Sequence, residues 1–83
     1  MFYVYVLKSL KKEWIYVGYT ENLRKRFTEH QKGLSKATKP YRPFDIVFYE
    51  AYKSKADAKR REMYFKTTKG KRSLRLILQE SLK

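Results

Sequence analysis

The sequence predicts an α/β (α+β) domain whose elements run β-β-α-β-α-α. Three observations predict it. Two short aromatic and β-branched runs lie near the N-terminus, separated by a few polar residues. A third such run, Phe44 to Tyr52, follows a loop containing Pro40 and Pro43. Segments with capping residues and helical apolar spacing follow the second and third runs.

The first run, Phe2-Tyr3-Val4-Tyr5-Val6-Leu7, lacks polar alternation, as a central strand buried on both faces does. Beyond the polar residues Lys8 to Glu13, Trp14-Ile15-Tyr16-Val17-Gly18-Tyr19 reads the same way. The pair is expected to form an antiparallel hairpin, with Gly18 marking a close backbone approach. Thr20 or Asn22 can cap a helix over residues 22–32 that carries Leu23 and Phe27 on one face and stops at Gly33. Two prolines make Lys36 to Pro43 a basic loop without regular structure. The third strand sets Ile46, Phe48 and Glu50 on one side against Val47, Tyr49 and Ala51 on the other. Ser54 with Asp57 makes a start like a capping box for a helix running to about Thr67. Gly70 is read as a break, after which Leu74, Ile77, Leu78 and Leu82 mark a short C-terminal helix.

Eighty-three residues suit one domain spanning 1–83. A domain this small buries only about 60% of its unfolded surface, so its core needs large side chains. The 17% aromatic content, including eight tyrosines, supplies them. Lys and Arg number 21 against eight Asp and Glu, a formal net charge of +13. The first 44 residues hold ten basic and three acidic side chains and the remainder eleven and five, so the charge is spread over the domain. Such a surface calls for a polyanionic partner: nucleic acid, with DNA foremost, or alternatively an anionic membrane surface. Without cysteine there is no disulfide scaffold, zinc-thiolate site or thiol nucleophile. No segment approaches the roughly 20 apolar residues of a membrane span, and the first apolar run is too short for a secretory signal. A cytoplasmic protein without a membrane partner is expected.

Hairpin pairing brings the hydroxyls of Tyr5 and Tyr16 toward one another, either as pocket residues or as core filler. Arg26 and His30, at i and i+4, share a helix face and can hold a phosphate or stand solvated. His30 is the only histidine, which excludes a histidine metal cage. Glu62 falls on the apolar stripe between Ala58 and Phe65, where a carboxylate must be paired or bind metal. Lys59, Arg61 and Lys66 can pair it; one carboxylate with water and substrate phosphate can equally hold Mg²⁺. The clusters Arg24-Lys25-Arg26, Lys59-Arg60-Arg61 and Lys66 to Arg75, with Lys36, Lys39 and Arg42 in the loop, can line a polyanion surface. A Walker-type phosphate loop, a Gly-x-Ser-x-Gly elbow and a carboxylate pair for two-metal chemistry are all missing from the sequence.

Taken together, these residues resemble the GIY-YIG nuclease family. Tyr3-Val4-Tyr5 stands in the place of Gly-Ile-Tyr and Tyr16-Val17-Gly18 in the place of Tyr-Ile-Gly. The stretch Tyr19 to Arg26, then His30, Arg42-Pro43-Phe44 and Ala58 to Glu62, follows in the family's order over nearly the whole chain. The chain looks most similar to small single-domain members, akin to the nuclease module at the start of UvrC-type repair proteins. The resemblance implies a three-stranded antiparallel sheet flanked by three helices and a metal-dependent phosphodiesterase. It implies Glu62 as ligand to one Mg²⁺ or Mn²⁺ and Arg26 as the transition-state cation. It further implies Tyr16 with Tyr5 activating water at a lowered hydroxyl pKa, and His30 assisting proton transfer or phosphate binding. The nucleic-acid contacts expected are Arg24, Lys25, Lys36, Lys39, Arg42, Arg61 and Lys66. Three departures stand out: Tyr3 replaces the first glycine, Val replaces Ile in both triplets, and the asparagine many members carry late in the chain is missing, Asn22 being the only one. A basic nucleic-acid-binding module with little or no hydrolysis, or a subunit targeted by a larger protein partner, is therefore the competing expectation.

Overall fold

A computed structural model describes residues 1–83. Strands β1 (Phe2–Ser9), β2 (Ile15–Thr20) and β3 (Phe44–Tyr52) form one sheet in the order β2-β1-β3, both pairings antiparallel. Helices α1 (Leu23–Gln31), α2 (Lys55–Phe65) and α3 (Thr68–Ile77) complete the predicted order. As the unbroken apolar run of β1 demands, Val4, Val6, Tyr5 and Leu7 are buried, the valines on one face and Tyr5 and Leu7 on the other.

The first face carries the larger core: Val4, Val6 and Val17 pack against Ala58 and Phe65 of α2 and Leu74 and Leu78 beyond. The second face seats Tyr5, Leu7 and Phe44 against Leu23 and Phe27 of α1, with Trp14 and Tyr41 closing one end. Asn22 caps α1 by accepting a hydrogen bond from the Lys25 amide at 3.0 Å, and Gly33, at φ 77°, ends that helix in a conformation other residues resist.

Five local expectations are corrected. Gly70 does not break the chain; it lies inside α3, buried, because a Cβ there would collide with the backbone of Tyr64 and Phe65. The glycine therefore buys the close approach of α3 to the end of α2. Ile77 is half exposed, so the apolar stripe runs through Leu74, Leu78 and Leu82. A β-bulge breaks the alternation of β3: Val6 pairs with Phe48 while the next residue, Leu7, pairs with Ile46. Val47 and Phe48 consequently both pack on the larger core, whereas Ile46 turns to the opposite face. Ser54 occupies the N-cap of α2 without a side-chain cap bond, and Asp57 pairs instead with Arg60 at 3.0 Å. Within the basic loop, Lys39–Tyr41 form a single 3-10 turn, which accommodates Pro40 near its start.

Candidate active site

Tyr5 lies on β1 directly opposite Gly18 of β2. A Cβ at Gly18 would overlap the Tyr5 ring and hydroxyl, so the glycine is the space through which the Tyr5 side chain crosses its neighbouring strand. The Tyr16 ring sits 6.4 Å from that of Tyr5 and 5.4 Å from that of His30. Hairpin pairing thus does gather the aromatic groups.

His30, from the last turn of α1, is fully buried. Its Nε2 lies 2.8 Å from the Tyr5 hydroxyl and its Nδ1 2.8 Å from Thr38 Oγ1. Thr38 Oγ1 also donates to the Ser35 carbonyl at 3.4 Å. A hydroxyl has one proton, so the tautomer consistent with all three bonds has Nδ1–H donating to Thr38 and Nε2 accepting the Tyr5 proton. Burial, reinforced by the Arg26 charge, pushes the His30 pKa down to about 4, which keeps the ring neutral as this chain of bonds requires. Buried and bonded at both ring nitrogens, His30 therefore has no nitrogen free to meet a phosphate directly.

Burial likewise pushes the Tyr5 hydroxyl up to about 12, with Tyr16 adding to the effect and Arg26 opposing it. This corrects the expectation of a lowered pKa at Tyr5. Arg26 is half buried and bonded to Glu29 at 3.1 Å; although burial works against its charge, the contacts with Glu29 and Tyr5 raise its pKa further. The guanidinium borders an open concavity with Lys25, Asn22 and Glu29.

Glu62 projects from α2 with its side chain only 13% exposed. Lys66 bonds one carboxylate oxygen at 3.1 Å and Lys59 lies 3.6 Å from the other. Lys66 Nζ is also 5.9 Å from the centre of the Tyr16 ring, and the Glu62 charge is felt at Tyr5, so carboxylate and tyrosines share one neighbourhood. No group of three or more His, Cys, Asp and Glu side chains comes together anywhere in the chain. The donor set fits a divalent ion held by one carboxylate and completed by water and substrate phosphate, the usual arrangement for Mg²⁺ at phosphoryl sites. It does not fit an all-protein metal cage.

Two neighbours escaped the sequence reading. Thr38 orients His30 from the basic loop, and a threonine in a loop carries no pattern that announces this. Tyr19, immediately after Gly18, has a buried hydroxyl without a hydrogen-bond partner and a ring 4.5 Å beneath Lys59 Nζ. Of the expected nucleic-acid contacts, Arg24, Lys25, Lys36, Lys39 and Lys66 are exposed and Arg42 is half buried. Arg61 is tied to the sheet, its Nε and Nη2 donating to the two Glu50 oxygens at 2.9 and 3.2 Å, with its guanidinium 4.3 Å over Phe65.

Fold and site together define a class. Residues 1–75 match the GIY-YIG catalytic domain, and the chain belongs to that nuclease family. Among known proteins it is similar to small UPF0213 proteins: CPE1444 of Clostridium perfringens, 39% identical across 100% of this chain and 89% of that protein. SH2523 of Staphylococcus haemolyticus is 40% identical across 90% of this chain and 92% of its own length. YazA of Bacillus subtilis is 40% identical across 77% of this chain and 65% of its own length. No solved structure matches the chain significantly. No helix is long and apolar enough to cross a membrane.

Proposed function

We propose that this protein is a metal-dependent endonuclease that hydrolyses DNA phosphodiester bonds with water as the nucleophile. The observation that carries this reading is the buried contact of the Tyr5 hydroxyl with His30 Nε2, the ring being held at Nδ1 by Thr38. With the Tyr5 proton directed inward, the lone pair of its oxygen not engaged by Arg26 is available to the attacking water. As the water oxygen closes on phosphorus, Tyr5 takes a water proton while passing its own to His30 Nε2. No free tyrosinate has to form; the proton passes instead to His30, which with a pKa of about 4 holds it only transiently and gives it up as the leaving oxygen is protonated.

Tyr16, packed beside Tyr5, orients the same water. Arg26 carries a permanent positive charge toward the phosphate oxygens as charge builds on them, where a preformed cation is most effective. Glu62 would hold one Mg²⁺ or Mn²⁺, which when bound supplies charge neutralisation at the scissile phosphate and its leaving oxygen. Lys66 and Lys59, which pair with Glu62, would be available to the nucleic-acid phosphates were the carboxylate to hold an ion. The products are a 5′-phosphate and a 3′-hydroxyl.

Wild type and Glu62→Ala are compared on labelled duplex, branched and single-stranded DNA, with and without Mn²⁺ or Mg²⁺, on a denaturing gel. Metal-dependent cutting by wild type alone supports the reading and ranks the substrates. Absence of cutting by both, with both still shifting DNA, replaces it with a binding module.

A further inference from the structure

At the C-terminal end of α1, away from the Lys25 and Arg26 concavity, lies a cleft of about 590 Å³. Lys11 from the β1–β2 turn, Gln31 from α1, and Lys36, Lys39 and Arg42 from the basic loop line it, with no acidic residue among them. The six ion pairs of the chain engage Arg26, Lys59, Arg60, Arg61, Lys66 and Lys83, all outside the cleft. None of the four cations of the cleft is in an ion pair. Four positive charges facing one concavity without a protein counter-ion repel each other, a cost that an anion removes.

The loop that holds these charges is rigidly fixed. Gln31 clamps its far end, donating from Nε2 to the Phe44 carbonyl at 3.0 Å and accepting from the Phe44 amide at 2.8 Å. Ser9 Oγ donates to the Tyr41 carbonyl at 2.6 Å, and the Tyr41 ring stacks on Trp14 at 3.8 Å. Arg42 Nε donates to the Lys39 carbonyl at 3.1 Å, and its guanidinium occupies the space above Gly33 that a Cβ would fill. Arg42, placed this way, loses little freedom when a ligand arrives. From Arg26 to Gln31 is five residues of α1, roughly 7.5 Å at about 1.5 Å per residue. A separation of that order lets the cleft and Arg26 take different phosphates of one strand.

We propose that this cleft binds a backbone phosphate of the nucleic-acid substrate other than the one at the bond to be cut, as an anchor separate from the reacting centre. The proposal rests on the nucleic-acid reading above. An anchor of this kind fixes how the strand lies across Tyr5 and Arg26 without reading its sequence.

Binding is measured without divalent metal, as the salt dependence of DNA affinity for wild type, Lys36→Gln/Lys39→Gln and a charge-matched control, Lys53→Gln/Lys55→Gln. The cleft variant is expected to lose about 0.9 from the log–log slope on duplex DNA for each phosphate contact removed, and the control much less. Equal losses in the two variants, or none, overturn the proposal. A scan of neutral methylphosphonates along the strand should find one position that weakens wild type and leaves the cleft variant indifferent; failure to find one overturns the placement. Inorganic phosphate saturating the cleft, followed through the Gly33 amide resonance, while the DNA slope stays unchanged on mutation, would assign the cleft to free phosphate instead. Cutting without a cleft-dependent slope leaves the nuclease reading standing and removes this one; a cleft-dependent slope without cutting does the reverse.

Discussion

The Tyr5 side chain occupies the volume that any residue other than glycine would need at position 18, its antiparallel partner. The second motif of the family and the tyrosine of the first are thus two halves of one packing arrangement. Gly18→Ala should cost about 1–3 kcal/mol of stability from overpacking and should also lower the cleavage rate by displacing Tyr5. In a double-mutant cycle read by urea unfolding, Tyr5→Ala should recover part of the loss, since it vacates the contested space. Strict additivity would refute the pairing.

Thr38→Val leaves the buried His30 Nδ1–H without an acceptor, at a cost of about 1–3 kcal/mol, and frees the ring to change tautomer. Cleavage should fall with kcat rather than KM, and Thr38→Ser should restore it. Nitrogen chemical shifts of His30 report the tautomer directly and should move in the valine variant and return in the serine variant.

The pH dependence of stability follows from His30. Its folded pKa, about 4, lies below the ordinary value of 6.5, so the unfolded chain binds the extra proton between those limits. The contribution is fully present above pH 6.5 and is lost as pH falls toward 4, about 3 kcal/mol in all at 1.36 kcal/mol per unit. The ring proton resonances of His30 should titrate near 4 in the native protein and near 6.5 in concentrated urea; a native midpoint near 6.5 would contradict the burial argument.

Because one carboxylate is the only protein donor at the candidate metal site, Mn²⁺ alone should give no saturable binding in calorimetry. Saturable binding should appear when a non-cleavable DNA analogue is present. It should vanish again in Glu62→Gln, which should bind the DNA itself at least as well as wild type.

Arg61 should behave as a structural residue. Arg61→Gln breaks the two bonds to Glu50 and should cost about 1 kcal/mol, discounted because both side chains are partly exposed. The salt slope of DNA binding should change less than for Lys36→Gln/Lys39→Gln.

Much of this was legible in the sequence because it depends on local pattern. The aromatic density of β1 reveals a central strand, Asn22 and Gly33 bracket α1, and the spacing of Tyr5, Tyr16, Arg26, His30 and Glu62 carries the family resemblance. Features set by contacts between distant segments were not legible. Gly70 looks like a helix breaker until α3 is seen against Tyr64, and Ile46 and Phe48 look like neighbours on one face until the bulge separates them. The spacing of Arg26 and His30 says they share a helix face but not that Tyr5 and Thr38 enclose the histidine. The burial of Tyr5, and with it the direction of its pKa, is likewise a property of the assembled core.

The strand order has a temporal side. β1, the middle strand, is the first to leave the ribosome, and one of its two partners, β3, is complete only at Tyr52, fifty positions after the Phe2 it pairs with. Closing a contact that distant in sequence is slow and entropically expensive, so the sheet waits for most of the chain. Glu62 arrives later still. A nascent chain thus carries both tyrosines early yet lacks Glu62 until α2 emerges, which keeps the candidate site incomplete until then.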